Sequence, residues 1–239
     1  MKLKIMPVGD SITRGSYMAL YETGPLAGQN IGLANPLGGG WRKGLQDKLR
    51  AAGVAFEFVG DLDYGAFGRD GVVDPAFSPH HHGLAGFGNQ GILTGGIVPT
   101  PPDVLAARGV NEIRVPGIIP VLAGHEPDVI LLMSGANGFD ADARNRLIRT
   151  ILSHSAGLLL AATIPPQAPP RTGHDHVDAY NASLAGLVAE LAASAGRVKL
   201  VDINAVLTAA DLLSDGVHPN PAGMDKIAAA WWTSLRPIL

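Results

Sequence analysis

The sequence predicts an α/β domain built on a mainly parallel sheet, and three observations carry that expectation. Five short runs are apolar almost without interruption, the pattern of strands buried on both faces. Helix-like stretches lie between or after those runs. The residues with the most chemistry stand immediately after the runs, where open parallel sheets place their active groups.

The strands are expected at Leu3–Val8, Ala55–Val59, Asp128–Met133, Leu158–Ile164 and Val198–Ile203. The helices follow from periodicity. Trp41–Ala52 sets Leu45, Leu49 and Ala52 on one face, and Asp140–His154 carries Leu147, Ile148, Ile151 and Leu152. Val177–Ser194 is rich in Ala and Leu, and Pro221–Leu235 opens with proline at a first-turn position. Two stretches break the pattern and read as long loops, near residues 16–40 and 62–91. Loops of that length in a compact domain usually serve function. No repeat and no compositional break marks a linker, so residues 1–239 are expected to form one domain.

Composition narrows the function. Apolar residues make up 46% of the chain and charged ones 16%, which suits a soluble globule. The net charge of −3, without long basic runs, argues against a nucleic-acid partner. There is no cysteine, hence no disulfide, thiolate nucleophile or cysteine-bound metal. No apolar stretch reaches the roughly 20 residues that span a bilayer, and the N-terminus lacks a cleavage-site pattern. As given, the chain reads as cytoplasmic; a secreted protein with its signal peptide removed would look the same.

Three strand-end motifs stand out. After the first strand comes Gly9-Asp10-Ser11. Ser11 reads either as a helix N-cap or as a nucleophile at a strand tip. After the third comes Ser134-Gly-Ala-Asn137, whose asparagine is either a turn residue or a donor aimed at the same point. Near the C-terminus, Asp215 and His218 lie three apart across Gly216, so the carboxylate could orient the imidazole toward a serine. The plain alternative there is an Asp-Gly turn beside an exposed histidine.

Taken together these motifs resemble the SGNH, or GDSL, hydrolases. Gly9–Thr13 is similar to that family's first block, Ser134–Asn137 to its third and Asp215–Asn220 to its last, while Gly86 looks like the second-block glycine. The likeness runs from residue 3 to the final helix and is nearest the acetylxylan-esterase-like carbohydrate esterases. It implies a three-layer α/β/α sandwich with a central five-stranded, flavodoxin-like sheet. It also implies ester hydrolysis through an acyl-serine, with Ser11 as nucleophile, His218 as base and Asp215 as its orienter. The oxyanion hole would be the Ser11 and Gly86 N–H groups and the Asn137 amide, and no cofactor or metal is required. The family usually places Asp after this asparagine, where Gly138 stands, so Asp140 or Asp142 is expected to support the loop instead.

Aromatic residues are only 5% and no lid helix is evident, which favours a small-molecule ester with a short acyl group, acetyl above all; that the ester is carried on a carbohydrate is what the resemblance implies. Asp10, Tyr17, Trp41, His82 and Phe87 are candidates to line it, with Tyr21 and Tyr64 as further aromatics. His80, His81 and His82 invite a metal reading, but adjacent imidazoles on an extended loop point apart. His174 and His176 follow the fourth strand and could meet the alcohol side. The alternatives are a lysophospholipase or thioesterase on the same scaffold, a carbohydrate-binding homologue impaired in catalysis, and a metal-dependent hydrolase. The oligomeric state is not legible.

Overall fold

The computed structural model describes residues 2–15, 39–63, 75–99 and 112–239. Strand β1 (Leu3–Gly9) is an inner strand of the main sheet. It is flanked on one side by β2 (Phe56–Phe58) and, further along its length, by the two-residue β3 (His82–Gly83). On the other side follow β6 (Val129–Met133), β7 (Leu158–Ala162) and β8 (Val198–Val201), every pairing parallel. A separate antiparallel pair joins β4 (Gly95–Pro99) to β5 (Glu112–Pro116).

Each of the five expected strands is present: β1 runs one residue further than expected, to Gly9, and the other four are trimmed at their ends. The expected fold class is nevertheless corrected: the described residues form two sheets and eight strands, not one flavodoxin-like sheet of five. Of the extra strands, β3 lies in the 62–91 stretch that the sequence read as a loop, and β4 and β5 lie in a stretch to which it assigned no element. β3 is too short to carry a period, and β4 contains two glycines and a proline. β5 does alternate, with Glu112 and Arg114 outward and Val115 buried, so its signal was present but brief.

Helices cover both faces of the main sheet. On one face α2 (Trp41–Ala51) and α7 (Pro221–Leu235) pack together around Trp41 and Trp231, whose ring centroids are 5.5 Å apart. Close approach is possible because Gly44 faces Ala228; a Cβ at 44 would lie 2.9 Å from the Ala228 methyl. The Trp41, Leu45 and Leu49 stripe, with Phe58, Leu131 and Ile227, forms the core on this side. On the other face lie α3 (Asn89–Thr94), α4 (Ile118–His125), α5 (Ala141–His154) and α6 (Val177–Ala195). There Leu147, Ile148 and Ile151 of α5 pack with Met6, Val8, Ile130 and Leu132. The alternation of β1, with Ile5 to one core and Met6 and Val8 to the other, is what a doubly covered strand requires.

Helix ends are closed by side chains that the sequence placed there. Asp140 accepts the Ala143 N–H at 2.8 Å, and Asn220 accepts the Gly223 N–H at 3.0 Å ahead of Pro221. A short helix, α1 (Ser11–Arg14), follows β1 directly, capped by Asp10. No helix among the described residues is long and apolar enough to cross a membrane.

Candidate active site

The carboxyl ends of β1 and β6 and the loop before α7 meet at one point. Ser11 opens α1, and its Oγ lies 2.7 Å from His218 Nε2. His218 Nδ1 lies 2.7 Å from Asp215 Oδ2. Asp215 Oδ1 accepts the backbone N–H groups of Val217 and His218, each at 2.9 Å, so the loop holds its own carboxylate in place. Burial pushes the Asp215 carboxyl up, but the His218 ring and those two N–H groups outweigh it and leave its pKa below the usual carboxylate value. The carboxylate is therefore charged where it faces the imidazole.

Gly216 makes this tight loop possible. Its φ is +70°, and a Cβ would fall 2.0 Å from the Ala168 carbonyl oxygen, so only glycine fits. Ala168 in turn donates its N–H to the Gly216 carbonyl at 2.9 Å, which fastens the His218 loop to the segment after β7.

Asp10 sits beneath the serine. It is fully buried, and its Oδ1 accepts the Ile12 N–H at 3.0 Å. Its Oδ2 accepts the N–H groups of Gly135 at 3.3 Å and Ala136 at 3.1 Å. Burial pushes its pKa up, against the pull of those three donors and of nearby His218. Asp10 was expected to line the substrate; it braces the serine turn against the Asn137 loop instead.

That loop is held on its other sides as well. The Tyr180 hydroxyl donates to the Ser134 carbonyl at 3.0 Å and accepts from Asn89 Nδ2 at 2.9 Å. Ser134 Oγ donates to Asn89 Oδ1 at 2.6 Å, and Gln167 and Arg171 donate to the Ala136 carbonyl. Asn137 is exposed, and its Nδ2 donates to the Phe87 carbonyl at 3.1 Å, which brings it beside Gly86. The expected supports are placed elsewhere: Asp140 caps α5 and Asp142 is exposed in its first turn. Asn89, Gln167 and Tyr180 escaped the sequence reading because nothing local distinguishes them from ordinary helix and loop residues.

Gly86 is exposed at φ +80°, with no atom within 4 Å of where a Cβ would stand. Among the described residues neither its N–H nor that of Ser11 is spent on a hydrogen bond. Two donors are thus left open near the serine.

Other expected lining residues are corrected by burial. Trp41 is wholly enclosed against Trp231, and His82 is enclosed on β3. Phe87 is half-buried, packed over Gly91 and Gly96. Tyr17, Tyr21 and Tyr64 lie outside the described residues, as do most of the 16–40 and part of the 62–91 loops. The three adjacent histidines occupy three environments: His80 is exposed, His81 Nδ1 accepts the Gly83 N–H at 2.9 Å, and His82 is buried without a hydrogen bond. His176 is exposed, its ring 5.9 Å from that of Phe139. Among the described residues no group of three or more His, Asp or Glu side chains could hold a metal ion.

A model of the GDSL-like Lipase/Acylhydrolase family matches residues 92–226, more than half of the chain. The chain belongs to the GDSL-like Lipase/Acylhydrolase family. The chain is 25% identical to a multidomain esterase of Ruminococcus flavefaciens over 252 residues, covering 99% of the chain but only 29% of that protein. It superposes on a family 3 carbohydrate esterase of Clostridium thermocellum with a TM-score of 0.68 and 25% identity, over 100% of this chain and 97% of the other. An acetyl esterase mutant crystallised with acetate gives a TM-score of 0.69 at 20% identity, covering 99% and 97%.

The SGNH-type resemblance, drawn from residue 3 onward with a flavodoxin-like sheet, is corrected in its reach and in its sheet. The matched span begins at Ile92, so Gly9–Thr13 and Gly86 lie outside it. The two-sheet, eight-strand architecture is that of an α/β esterase and not of a single five-stranded sheet.

Proposed function

We propose that this domain hydrolyses short-chain esters, acetyl above all, carried on carbohydrates. The observation that carries the reading is the unbroken Ser11–His218–Asp215 line, with both links at 2.7 Å. Such a line gives a serine hydroxyl a base and gives that base an orienter. The similar proteins, a carbohydrate esterase and an acetyl esterase, support this substrate class. The chain spans about 29% of the curated relative it matches, so for any longer protein that contains it the activity, substrates and partners are proposals too.

In this mechanism Ser11 Oγ attacks the ester carbonyl while His218 Nε2 takes its proton. The tetrahedral oxygen collects negative charge at the N-terminus of α1. There the Ser11 and Gly86 N–H groups and the Asn137 amide receive it. Asn137 spends one N–H on Phe87, which fixes the amide, and offers the other. One such donor is typically worth roughly 10²–10³ in turnover. His218 then gives its proton to the leaving alcohol, and the acyl-serine forms. Water repeats the sequence, with His218 again as base, and releases the acid.

The test is a panel of acyl esters of increasing length and of acetylated sugars, assayed on the native chain beside Ser11→Ala. Hydrolysis confined to short acyl groups and lost in the variant is expected. A variant with native activity overturns the mechanism. Rates that rise steadily with acyl length overturn the acetyl assignment in favour of a lysophospholipase or thioesterase.

A further inference from the structure

Asn137 is followed by Gly138, the one Asn-Gly pair in the chain. In such a pair the backbone nitrogen of the glycine can attack the asparagine Cγ, because no side chain shields it. The N–Cγ bond forms, the Cγ–Nδ2 bond breaks, and ammonia leaves with the amide proton. Solvent water then opens the cyclic imide at either carbonyl, giving aspartate or isoaspartate.

The surroundings of this pair permit the attack. Asn137 is exposed, and no atom lies within 4 Å of the position a Gly138 Cβ would take. Among the described residues the Asn137 side chain makes one hydrogen bond, to the Phe87 carbonyl. The Gly138 N–H donates to the Gly135 carbonyl at 3.1 Å, a brake that makes conversion slower than in a free peptide. Asp215-Gly216 offers the same spacing in the same site but is protected. Its carboxylate is held charged by three hydrogen bonds, and a charged carboxylate is not attacked. Gly216 is also buried.

We propose that Asn137–Gly138 is a deamidation site whose conversion turns the esterase off. The second half rests on the reading of Asn137 as an oxyanion donor. Conversion replaces that donor with a carboxylate beside the oxygen that becomes negative, and isoaspartate lengthens the main chain just after the Gly135 and Ala136 N–H groups clamped by Asp10. The enzyme thus carries a clock at its own active site.

The experiment incubates the full chain in mildly alkaline buffer at body temperature. Residue 137 is followed by peptide mapping with enzymatic isoaspartate detection, and activity by hydrolysis of nitrophenyl acetate. Modification at 137 and activity loss are expected to advance together, and Gly138→Ala is expected to slow both by roughly tenfold or more, because a Cβ restricts the backbone and shields its nitrogen. An Asn137 that stays intact while the free peptide of the same sequence converts overturns the proposal. Asn137→Asp, made directly, separates the two halves. Full turnover in that variant overturns the switch and the oxyanion role while leaving the modification itself standing.

Discussion

Asp10 and Ala136 are 126 residues apart, yet the carboxylate of one accepts the backbone N–H of the other at 3.1 Å. Through this contact the turn that presents Ser11 and the loop that presents Asn137 are one rigid piece. Asp10 touches neither the serine oxygen nor the Asn137 amide; it is a positioning residue.

Asp10→Asn keeps the shape but turns one acceptor into a donor that faces backbone N–H groups. The buried donors left unmatched are expected to cost about 1–3 kcal/mol of stability. Turnover should fall while KM for a small acetate ester holds, because the proposed oxyanion donors lose their alignment. Urea denaturation and steady-state kinetics check the two halves. Native turnover in a destabilised variant would mean that Asp10 only supports the fold.

Asp215→Asn removes the charge that faces His218 Nδ1 and presents the wrong partner to that nitrogen. In a well-studied serine triad the same exchange costs about 10⁴ in turnover. A loss of similar order is expected here, without gross unfolding, because the Val217 and His218 N–H groups can still bond the remaining carbonyl oxygen. Turnover numbers with a nitrophenyl acetate substrate measure it.

Tyr180→Phe deletes a hydroxyl that joins Asn89 to the Ser134 carbonyl. Two buried groups lose their partner, at a cost of about 1–3 kcal/mol. Burial pushes this phenol up to about 12, so its ionisation adds no alkaline limb to the native pH–activity profile. The variant should therefore lose turnover equally at neutral and mildly alkaline pH.

His82 is expected to set an acid limb of stability. Burial lowers its pKa from 6.5 to about 4, and neither ring nitrogen has a partner. A histidine kept neutral in the fold contributes fully above its unfolded pKa. As pH falls below 6.5 the unfolded chain gains a proton that the folded one refuses, until both are protonated below about 4. The loss over that window amounts to about 3 kcal/mol. His82→Leu is expected to flatten it and to be neutral or stabilising at pH 7, since an unbonded buried polar ring is replaced by an apolar one. Denaturation midpoints measured across the window decide this; an unchanged acid limb in the variant assigns it to other groups.

The main sheet was legible because its inner strands, Val129–Met133 and Leu158–Ala162 above all, are covered on both faces and so are apolar throughout. The β4–β5 pair and β3 were not, because each is held by pairing with a distant segment more than by any pattern of its own. Asp215, Gly216 and His218 were legible as a set because they share one tight loop. The placing of Asp10 at the substrate failed for the opposite reason: whether a carboxylate after a strand faces a cleft or the protein interior depends on what folds over it.

The sequence by itself determined much of the local geometry of this chain: five of its strands, where helices start, and that Gly216 turns a carboxylate toward its own histidine. Only the tertiary structure decided that this histidine, 207 positions from Ser11, comes within 2.7 Å of it. It also decided that Asp10, Asn89 and Tyr180 hold the Asn137 loop that Gly138 leaves without a carboxylate of its own. The physical reason is that hydrogen-bond partners so far apart in the chain are chosen by packing of the sheet and its helices, which no local period records.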